Sequence, residues 1–205
     1  MLVYEKRART YDASVAMMEW FLRKERAIYR ALRGKILEVG VGSGTNLEFY
    51  HPDAQITGLD WSPTMVSYAK RRVKALGLKN ISYIVVGDVR HLTDWFKEES
   101  FDYVTSTCLF CSVPEPLLGL KSIARVLKPK GKLVQLEHGA SRLKSVNFWL
   151  DLIDPMVSKH LGLHLNRLHA QNLKDAGFQI RHLREIDPFG ILQVIIADPP
   201  RDKAA

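Results

Sequence analysis

Apolar residues recur at helical spacing near the start of the chain. Met17, Phe21, Ile28 and Leu32 fall on one side of a helical wheel, and polar residues occupy most of the other side. This periodicity predicts an amphipathic helix over residues 13–32, which ends before Gly34.

From residue 35 onward, short β-rich runs alternate with helical segments. Strands are predicted at residues 35–40, 55–60, 83–87, 101–107, 132–138, 178–186 and 191–197. Helices are predicted at residues 43–50, 63–76 and 116–127. Because parallel neighbours need a crossover connection, the first five of these strands indicate a parallel sheet with helices on both faces.

The last two predicted strands are separated only by residues 187–190. Such a short link implies an antiparallel hairpin. The expected fold is therefore α/β: a doubly wound, seven-stranded, mostly parallel sheet with a C-terminal antiparallel hairpin and an N-terminal amphipathic helix. This ending differs from the six parallel strands of a dinucleotide-binding Rossmann domain.

Composition adds a domain organisation and an expected location. The chain has 205 residues, of which 46% are hydrophobic and 25% charged, as is typical of a globular domain. We expect an N-terminal helical segment over residues 1–34 and a main domain over residues 35–205. The sequence has no apolar run of spanning length, no signal-like start and only two cysteines, so a cytoplasmic protein is expected.

Basic residues outnumber acidic ones by 30 to 22, which gives a net charge of +8. On the N-terminal helix, Arg23, Arg26, Arg30 and Arg33 gather opposite the apolar side. This distribution favours an anionic membrane surface contacted by residues 13–33, and hence a peripheral membrane protein. A solvated helix packed on its own domain would give the same wheel.

Three alternating glycines stand where the first predicted strand ends. The segment follows the pattern E-x-G-x-G-x-G, with Glu38, Gly40, Gly42 and Gly44 at its fixed positions. Glycines allow the backbone to approach a ligand without a Cβ clash, and the following helix offers free N–H groups. The dinucleotide fingerprint has its third glycine at the sixth position rather than the fifth, so a different nucleotide-like ligand is indicated.

This pattern resembles motif I of the class I S-adenosylmethionine-dependent methyltransferases, and the resemblance covers nearly the whole chain. Asp60 stands where that family binds the ribose hydroxyls, and Asp88 stands where it accepts the adenine amine. Residues 125–133 match the turn into the fifth strand. The resemblance implies cofactor contacts at Tyr11, Glu38, Gly40, Gly42, Ser43, Gly44, Asn46, Asp60, Trp61, Ser62, Met65, Asp88, Val89, Thr107 and Cys108.

Several of these residues also have a purely structural interpretation. Tyr11 matches a lid tyrosine of many small methyltransferases, but a tyrosine at a helix start is often simply packed. Ser62 is equally well a helix N-cap, and Met65 a core residue. Cys108 and Cys111 form a C-x-x-C pair without a second ligand pair, so we read them as part of the pocket wall and expect no metal.

The sulfonium of S-adenosylmethionine is already an activated methyl donor, so the enzyme mainly positions the acceptor. This explains why the sequence shows neither a catalytic triad nor a paired carboxylate site. An amine acceptor must lose a proton before it attacks. Glu137, His138 and Tyr11 are the candidate acceptors of that proton, and water is another.

The chain is most similar to the small bacterial phospholipid N-methyltransferases, which methylate the amine of phosphatidylethanolamine. Residues 36–45, 107–114 and 188–192 carry this closer resemblance. It implies a phospholipid substrate and S-adenosylhomocysteine as the product. The candidate phosphate contacts are Arg142, Lys144, His164 and Arg167, in an insertion that mixes apolar and basic residues after the fifth strand.

Other acceptors stay open. Membrane-associated thiol methyltransferases share residues 109–113 and the Glu137–His138 pair, and quinone C-methyltransferases are more distantly similar. A non-catalytic binder of membrane or nucleic acid is the alternative from another class. The sequence shows no appended nucleic-acid module, so no nucleic-acid partner is expected. We also expect a monomer.

Overall fold

A computed structural model describes residues 22–201 of the chain. Within this range seven strands form one sheet, and they are β1 (Lys35–Val39), β2 (Gln55–Asp60), β3 (Ile81–Val86), β4 (Phe101–Thr107), β5 (Leu127–His138), β6 (Gln179–Glu185) and β7 (Leu192–Asp198). Their order is β3-β2-β1-β4-β5-β7-β6. The first five strands are parallel, and β7 runs antiparallel to both β5 and β6. The predicted fold class is confirmed.

The same range contains the α-helices α1 (Pro63–Leu76), α2 (Pro116–Val126), α3 (Lys144–Leu161) and α4 (His169–Asp175). Short 3₁₀-helices occupy Arg26–Ala31, Leu47–Phe49 and Val89–Asp94. Over residues 22–201, every helix falls short of the combined length and apolar character needed to cross a bilayer.

Helix α1 has the predicted bounds because both of its ends carry strong local signals. Ser62 caps the first turn by accepting a hydrogen bond from the N–H of Met65 at 3.2 Å, and Pro63 occupies the first helical position. Gly77 ends the helix in the left-handed conformation, with φ 63°.

The sheet separates two hydrophobic clusters. On one face, Leu37 of β1 lies in a cluster with Leu120 and Ile123 of α2. On the other face, Ile36 lies in a cluster with Val66 of α1. Successive strand residues point to opposite faces, so β1 contributes to both cores. Coverage on both faces leaves the carboxyl edge of the parallel strands available for a ligand site.

The prediction of a helix over residues 43–50 was wrong. The structure has only the single 3₁₀ turn Leu47–Phe49 there. Gly44 is left-handed, with φ 83°, and the side-chain amide of Asn46 donates to Glu38 at 2.6 Å. Tyr50 is already extended. Tertiary contacts therefore bend the segment before an α-helix can form.

The N-terminal helix is confirmed only in part, because residues 13–21 lie outside the described range. Residues 22–25 are α-helical, and Arg26–Ala31 is 3₁₀. The predicted place of Arg26 in a solvent-facing basic strip is wrong, since its side chain is 2% exposed and its guanidinium lies 5.7 Å from the Phe49 ring centroid. Three residues per turn in a 3₁₀-helix bring Arg26, Tyr29 and Leu32 onto the same inward side.

Two strands begin earlier than predicted. Strand β3 starts at Ile81 rather than at residue 83, and β5 starts at Leu127 rather than at residue 132. The early part of β5 pairs with β4 through a register shift, in which Leu127 lies opposite Phe101 and Lys132 opposite Tyr103. An irregular pairing of this kind interrupts the alternation of apolar and polar residues, so the sequence pattern does not reveal the early start of the strand.

Candidate functional site

A crevice opens at the carboxyl edge of the sheet. It lies where the strand order reverses between β1 and β4, the usual ligand position in a doubly wound sheet. Five residues predicted to bind the cofactor line it, namely Gly40, Asp60, Trp61, Asp88 and Val89. Residues that the sequence did not single out as contacts also line it: Leu59, Gly87, Arg90, Leu109, Ser112, Val113 and Pro114.

The segment that contains Gly40, Gly42 and Gly44, which we call the glycine loop, is fixed in conformation by Asp60 at the end of β2. The N–H of Gly42 donates to Asp60 Oδ2, and the N–H of Ser62 donates to Asp60 Oδ1, both at 2.9 Å. Gly40, Gly42 and Gly44 all have positive φ, a conformation that favours glycine. The carboxylate thus shapes the loop while it borders the crevice.

We expect Gly42→Ala to weaken S-adenosylmethionine binding about tenfold and to lower Tm by roughly 2–8 °C without unfolding the domain. A Cβ at Gly42 would have no neighbour closer than the Gly40 carbonyl oxygen at 4.0 Å, so it would project into open space rather than clash. The family resemblance implies that the cofactor meets the backbone in this space. The left-handed φ of 56° costs an alanine roughly 1–2 kcal/mol. Titration calorimetry and thermal unfolding measure the two effects.

Gly44→Ala is the contrasting variant for this test. A Cβ there would lie 3.0 Å from Leu47 and 3.2 Å from the Ala69 backbone, so stability should fall more than for Gly42→Ala. Unchanged cofactor affinity in Gly42→Ala would show that the ligand does not meet the backbone at this position.

A buried polar cluster lies beneath the glycine loop. The Asn46 amide bridges Glu38 Oε1 at 2.6 Å and Thr107 Oγ1 at 3.1 Å, and the Tyr29 hydroxyl pairs with the same Thr107 oxygen at 2.7 Å. Tyr29 also stacks on Tyr50, with ring centroids 4.9 Å apart. The N-terminal segment is therefore tied directly to the floor of the site.

Burial raises the pKa of Glu38 from 4.5 to about 7, although the hydrogen bond from Asn46 partly opposes the rise. The folded chain therefore keeps a proton between pH 4.5 and 7 that the unfolded chain releases. Stability falls as the pH rises through this window, by on the order of 3 kcal/mol from this group.

We expect Glu38→Gln to remove this contribution, because an amide does not titrate in that range. The free energy of unfolding, measured by denaturant titration at pH 5 and at pH 8, should fall less in the variant than in the wild type. The lowered pKa of His138 makes stability rise with pH, which opposes the effect of Glu38. Because both proteins contain His138, the difference between their pH dependences isolates the contribution of Glu38. Exposed Glu48→Gln is the matched control, and an equal pH dependence in all three proteins would contradict the expectation.

Asp88 follows β3 and lies on the crevice wall, as predicted. Its carboxylate is held by Arg90, whose Nε and Nη2 donate to Oδ2 at 3.0 and 2.7 Å. These bonds outweigh partial burial and hold the pKa of Asp88 below its usual value. Arg90 also pairs with Glu115 at 2.7 Å, which joins the wall to the start of α2. The carboxylate is thus fixed in its ionised, hydrogen-bond-accepting form.

Residues 108–114, which we call the β4 loop, form the opposite wall. Cys108 has a positive φ of 49°, and its N–H donates to the Leu136 carbonyl at 2.8 Å. The buried Glu137 accepts from Ser106 Oγ at 2.9 Å and from the N–H groups of Leu109 and Phe110 at 3.2 and 3.4 Å. Burial raises the pKa of Glu137. Its carboxylate therefore anchors the β4 loop from below.

His138 ends β5 and is 7% exposed. Burial, and then the neighbouring His169, lower the pKa of His138 to about 4. His169 is itself fixed, since its Nε2–H donates to the His138 carbonyl at 2.8 Å. At neutral pH the His138 imidazole is uncharged and is a weak base.

The four candidate phosphate contacts do not share one location. The N–H of His164 donates to the Cys111 carbonyl at 2.8 Å, and Arg167 Nη2 donates to the Val113 carbonyl at 3.2 Å, so these two residues join the β4 loop. Arg142 instead pairs with Glu185 at 3.2 Å. Lys144 is exposed at the start of α3.

Among the other residues predicted to contact the cofactor or the pocket, one lies outside the described range, and the rest stabilise the protein around the crevice. Tyr11 lies outside residues 22–201. Ser62 and Met65 are buried and form the cap of α1, which agrees with their structural interpretation. Ser43 is buried in the glycine loop. Cys111 Sγ donates to the Cys108 carbonyl at 3.2 Å, so the cysteine pair stabilises a turn in the crevice wall.

A doubly wound sheet with β7 inserted antiparallel beside β5, and with a glycine loop and acidic strand ends around one crevice, defines a class I S-adenosylmethionine-dependent methyltransferase. The chain belongs to the family described as methyltransferase domain, whose profile matches residues 37–135. It is an enzyme of methyl transfer.

Two relatives and one solved structure illustrate its similarity. The chain is 35% identical over 136 residues to a phosphatidylethanolamine N-methyltransferase of Cereibacter sphaeroides, which spans 66% of each protein. It is 31% identical over 186 residues to the human thiol S-methyltransferase TMT1B, covering 83% of this chain and 74% of that protein. A putative methyltransferase of Haloferax volcanii, solved with its Trm112 activator, shares the fold with a TM-score of 0.75 at 20% identity, covering 96% and 97% of the two chains.

The residues around the crevice fit the cofactor of this family. The carboxylates of Asp60 and Asp88 line the crevice and complement a cationic ligand, and Gly40 lets the backbone border it without a side chain. Among residues 22–201, Glu38 Oε2 and Asn46 Oδ1 are buried acceptors without a hydrogen-bond donor, as expected beside a ligand or ordered water that supplies one. When bound, the cofactor supplies the activated methyl group.

Proposed function

We propose that the enzyme transfers methyl groups from S-adenosylmethionine to the headgroup amine of phosphatidylethanolamine and of its methylated products. The observation that carries the proposal is the 35% identity to the Cereibacter sphaeroides enzyme. The fit of the crevice to the cofactor supports the donor half of the reaction.

The insertion after β5 supplies the phosphate contacts in this proposal. Arg167 is the strongest candidate, because its guanidinium already touches the β4 loop at Val113, which lines the crevice. A second guanidinium nitrogen, Nε, is buried and has no hydrogen-bond acceptor within residues 22–201. Arginine binds phosphate oxygens through two parallel donors, and Arg167 has donors to spare.

The proton released by the amine needs an acceptor, because an ammonium has no lone pair with which to attack. His138 is uncharged at neutral pH, as an acceptor must be, but a pKa of about 4 makes it far weaker than the amine, whose pKa lies near 10. Glu137 is fully buried and does not line the crevice, and its Oε1 already accepts from three donors. We therefore favour water or Tyr11 for this step.

The proposed enzyme works as a monomer on the cytoplasmic face of a membrane, where its substrate lies. Arg23, Arg30 and Arg33 are exposed on the N-terminal segment and are available to anionic lipid. The contact through residues 13–33 is thus retained as part of the proposal, without Arg26.

An acceptor panel tests the proposed function. The purified protein is incubated with labelled S-adenosylmethionine and, separately, with vesicles containing phosphatidylethanolamine, a small alkyl thiol or a quinone precursor. We expect labelled mono- and dimethylated lipid from the first mixture. Label that appears only in the thiol or quinone product would overturn the lipid assignment.

Thiol methylation is the second candidate function. It is favoured by the similarity to TMT1B, which extends over 83% of this chain. A thiol acceptor ionises more readily than an ammonium loses its proton, and so it needs less help from a base. In the panel, this candidate predicts a labelled thioether and unlabelled lipid.

A further inference from the structure

Helix α3 turns its apolar side away from the protein. Phe148, Trp149, Leu152 and Met156 are each 61–64% exposed. They are spaced at i, i+1, i+4 and i+8, and so they lie on one side of the helix. Soluble domains usually bury such a stripe, and a contiguous exposed one marks an interaction surface.

Polar contacts on the inner side hold the helix in this orientation. Asp154, the one buried residue of α3, accepts from the N–H of Leu165 at 2.6 Å and pairs with His164 Nδ1 at 2.8 Å. At the other end, the Asn147 side chain exchanges two hydrogen bonds with the Ser141 backbone, both 2.7 Å long. Rotating the apolar stripe inward would break all four bonds, so its exposure is built into the fold.

Neighbouring segments extend the stripe into a larger surface. Leu143 and Ile153 are each 40% exposed on or beside α3, and Leu168 and Phe189 are at least half exposed. The Phe189 carbonyl accepts from the N–H of Arg142, which places the hairpin tip beside the start of α3. We call this set of exposed apolar residues on and around α3 the apolar surface.

Cations stand at both ends of the helix. Lys144 begins α3 and Lys159 lies in its last turn, and both are exposed. A two-fold pair of α3 helices from two copies would bring Lys144 of one copy towards Lys159 of the other, so like charges would meet. An anionic lipid surface instead neutralises both lysines and receives the Phe and Trp rings at headgroup depth.

The apolar surface is linked to the crevice through the residues that follow α3. Asp154 pairs with His164, whose N–H donates to Cys111 of the β4 loop. Arg167 reaches the same loop at Val113. A surface that receives the apolar side of α3 therefore lies next to the segment that borders the ligand space.

We propose that α3 is a membrane-docking helix, which inserts its apolar side into the interface of an anionic bilayer. The proposal extends the proposed function by naming where the enzyme meets the membrane, but docking itself does not require that the acceptor be phosphatidylethanolamine.

Vesicle co-sedimentation tests the docking. The full chain is mixed with vesicles of phosphatidylcholine and phosphatidylglycerol, which contain no ethanolamine headgroup. We expect the wild type to sediment and the double variant Leu152→Glu/Met156→Glu to lose at least about tenfold in partitioning, since two apolar contacts become charged. Leu76→Glu, at an exposed position on α1, is the matched control and should sediment like the wild type.

Thermal unfolding and cofactor titration of each variant establish that the fold is retained. Sedimentation of the double variant at the wild-type level would overturn the proposal. If that result came together with a loss of sedimentation in Arg23→Glu/Arg30→Glu, docking would belong to the N-terminal segment instead of α3. A wild type that ignores vesicles but elutes as a dimer, and as a monomer in the double variant, would make the surface a contact between copies.

The acceptor panel keeps this result separate from the proposed function. Vesicle binding without lipid methylation would leave the docking intact and change the acceptor. Lipid methylation without vesicle binding through α3 would support the proposed acceptor and contradict the docking by α3.

Discussion

Asp60→Ala is expected to weaken S-adenosylmethionine binding by at least about 100-fold, because the family resemblance implies that this carboxylate accepts two charge-assisted hydrogen bonds from the ribose. Asp60 lies in the crevice wall, where its carboxylate accepts from the N–H groups of Gly42 and Ser62. The variant also removes the acceptor of the Gly42 N–H, so the glycine loop should lose its conformation while the crevice loses the negative charge of Asp60. Titration calorimetry measures the affinity.

Asp53→Ala is the matched control, since Asp53 lies shortly before β2 with a side chain that is 79% exposed. It should bind the cofactor like the wild type. Near-normal affinity in Asp60→Ala would refute the placement of the ribose beside this residue.

The largest effect on stability is expected from Glu137→Ala, which should lower the free energy of unfolding by about 4 kcal/mol. The change leaves the Ser106 hydroxyl and the N–H groups of Leu109 and Phe110 without their common acceptor in a fully buried position. Domains of this kind are stable by only about 5–15 kcal/mol in total, so partial unfolding of the β4 loop should accompany the change. Denaturant titration provides the measurement.

Glu137→Gln separates anchoring of the loop from proton transfer. The glutamine retains a side-chain oxygen at the position of Oε1, so we expect a stability loss below about 1.5 kcal/mol and a kcat close to that of the wild type. A large fall in kcat at unchanged KM and stability would show instead that Glu137 accepts the substrate proton.

The fold was largely predictable because the residues that begin and end its strands and helices are close to those elements in the sequence. Strands β2 and β4 and helix α1 have the predicted bounds, and the Ser-Pro start and Gly end of α1 are signals within a few residues of the helix. The helix prediction for residues 43–50 failed because the bend there depends on the hydrogen bond between Asn46 and Glu38, which precedes Asn46 by 8 residues and lies outside the predicted helix. Periodicity carries no information about such a contact.

The site was predictable where it depends on strand ends. Gly40, Asp60 and Asp88 follow strands and meet at the crevice as expected. The β4 loop was expected in the pocket wall through its two cysteines, but the lining residues Leu109, Ser112, Val113 and Pro114 were not singled out as contacts. Their placement follows a positive φ at Cys108, a rare conformation for a residue other than glycine. The burial of Arg26 was also missed, since it depends on the ring of Phe49 and on the 3₁₀ winding of the segment.

The order of the strands at one margin of the sheet constrains how the chain reaches its native state. β6 precedes β7 in the sequence, yet among the strands of residues 22–201 it is bonded only to β7, which itself pairs with β5. When the ribosome has synthesised β6, that strand therefore has no place to attach, and it must wait until β7 has emerged. Completion of this margin is a late folding event, and the nascent chain carries an unpaired strand until then.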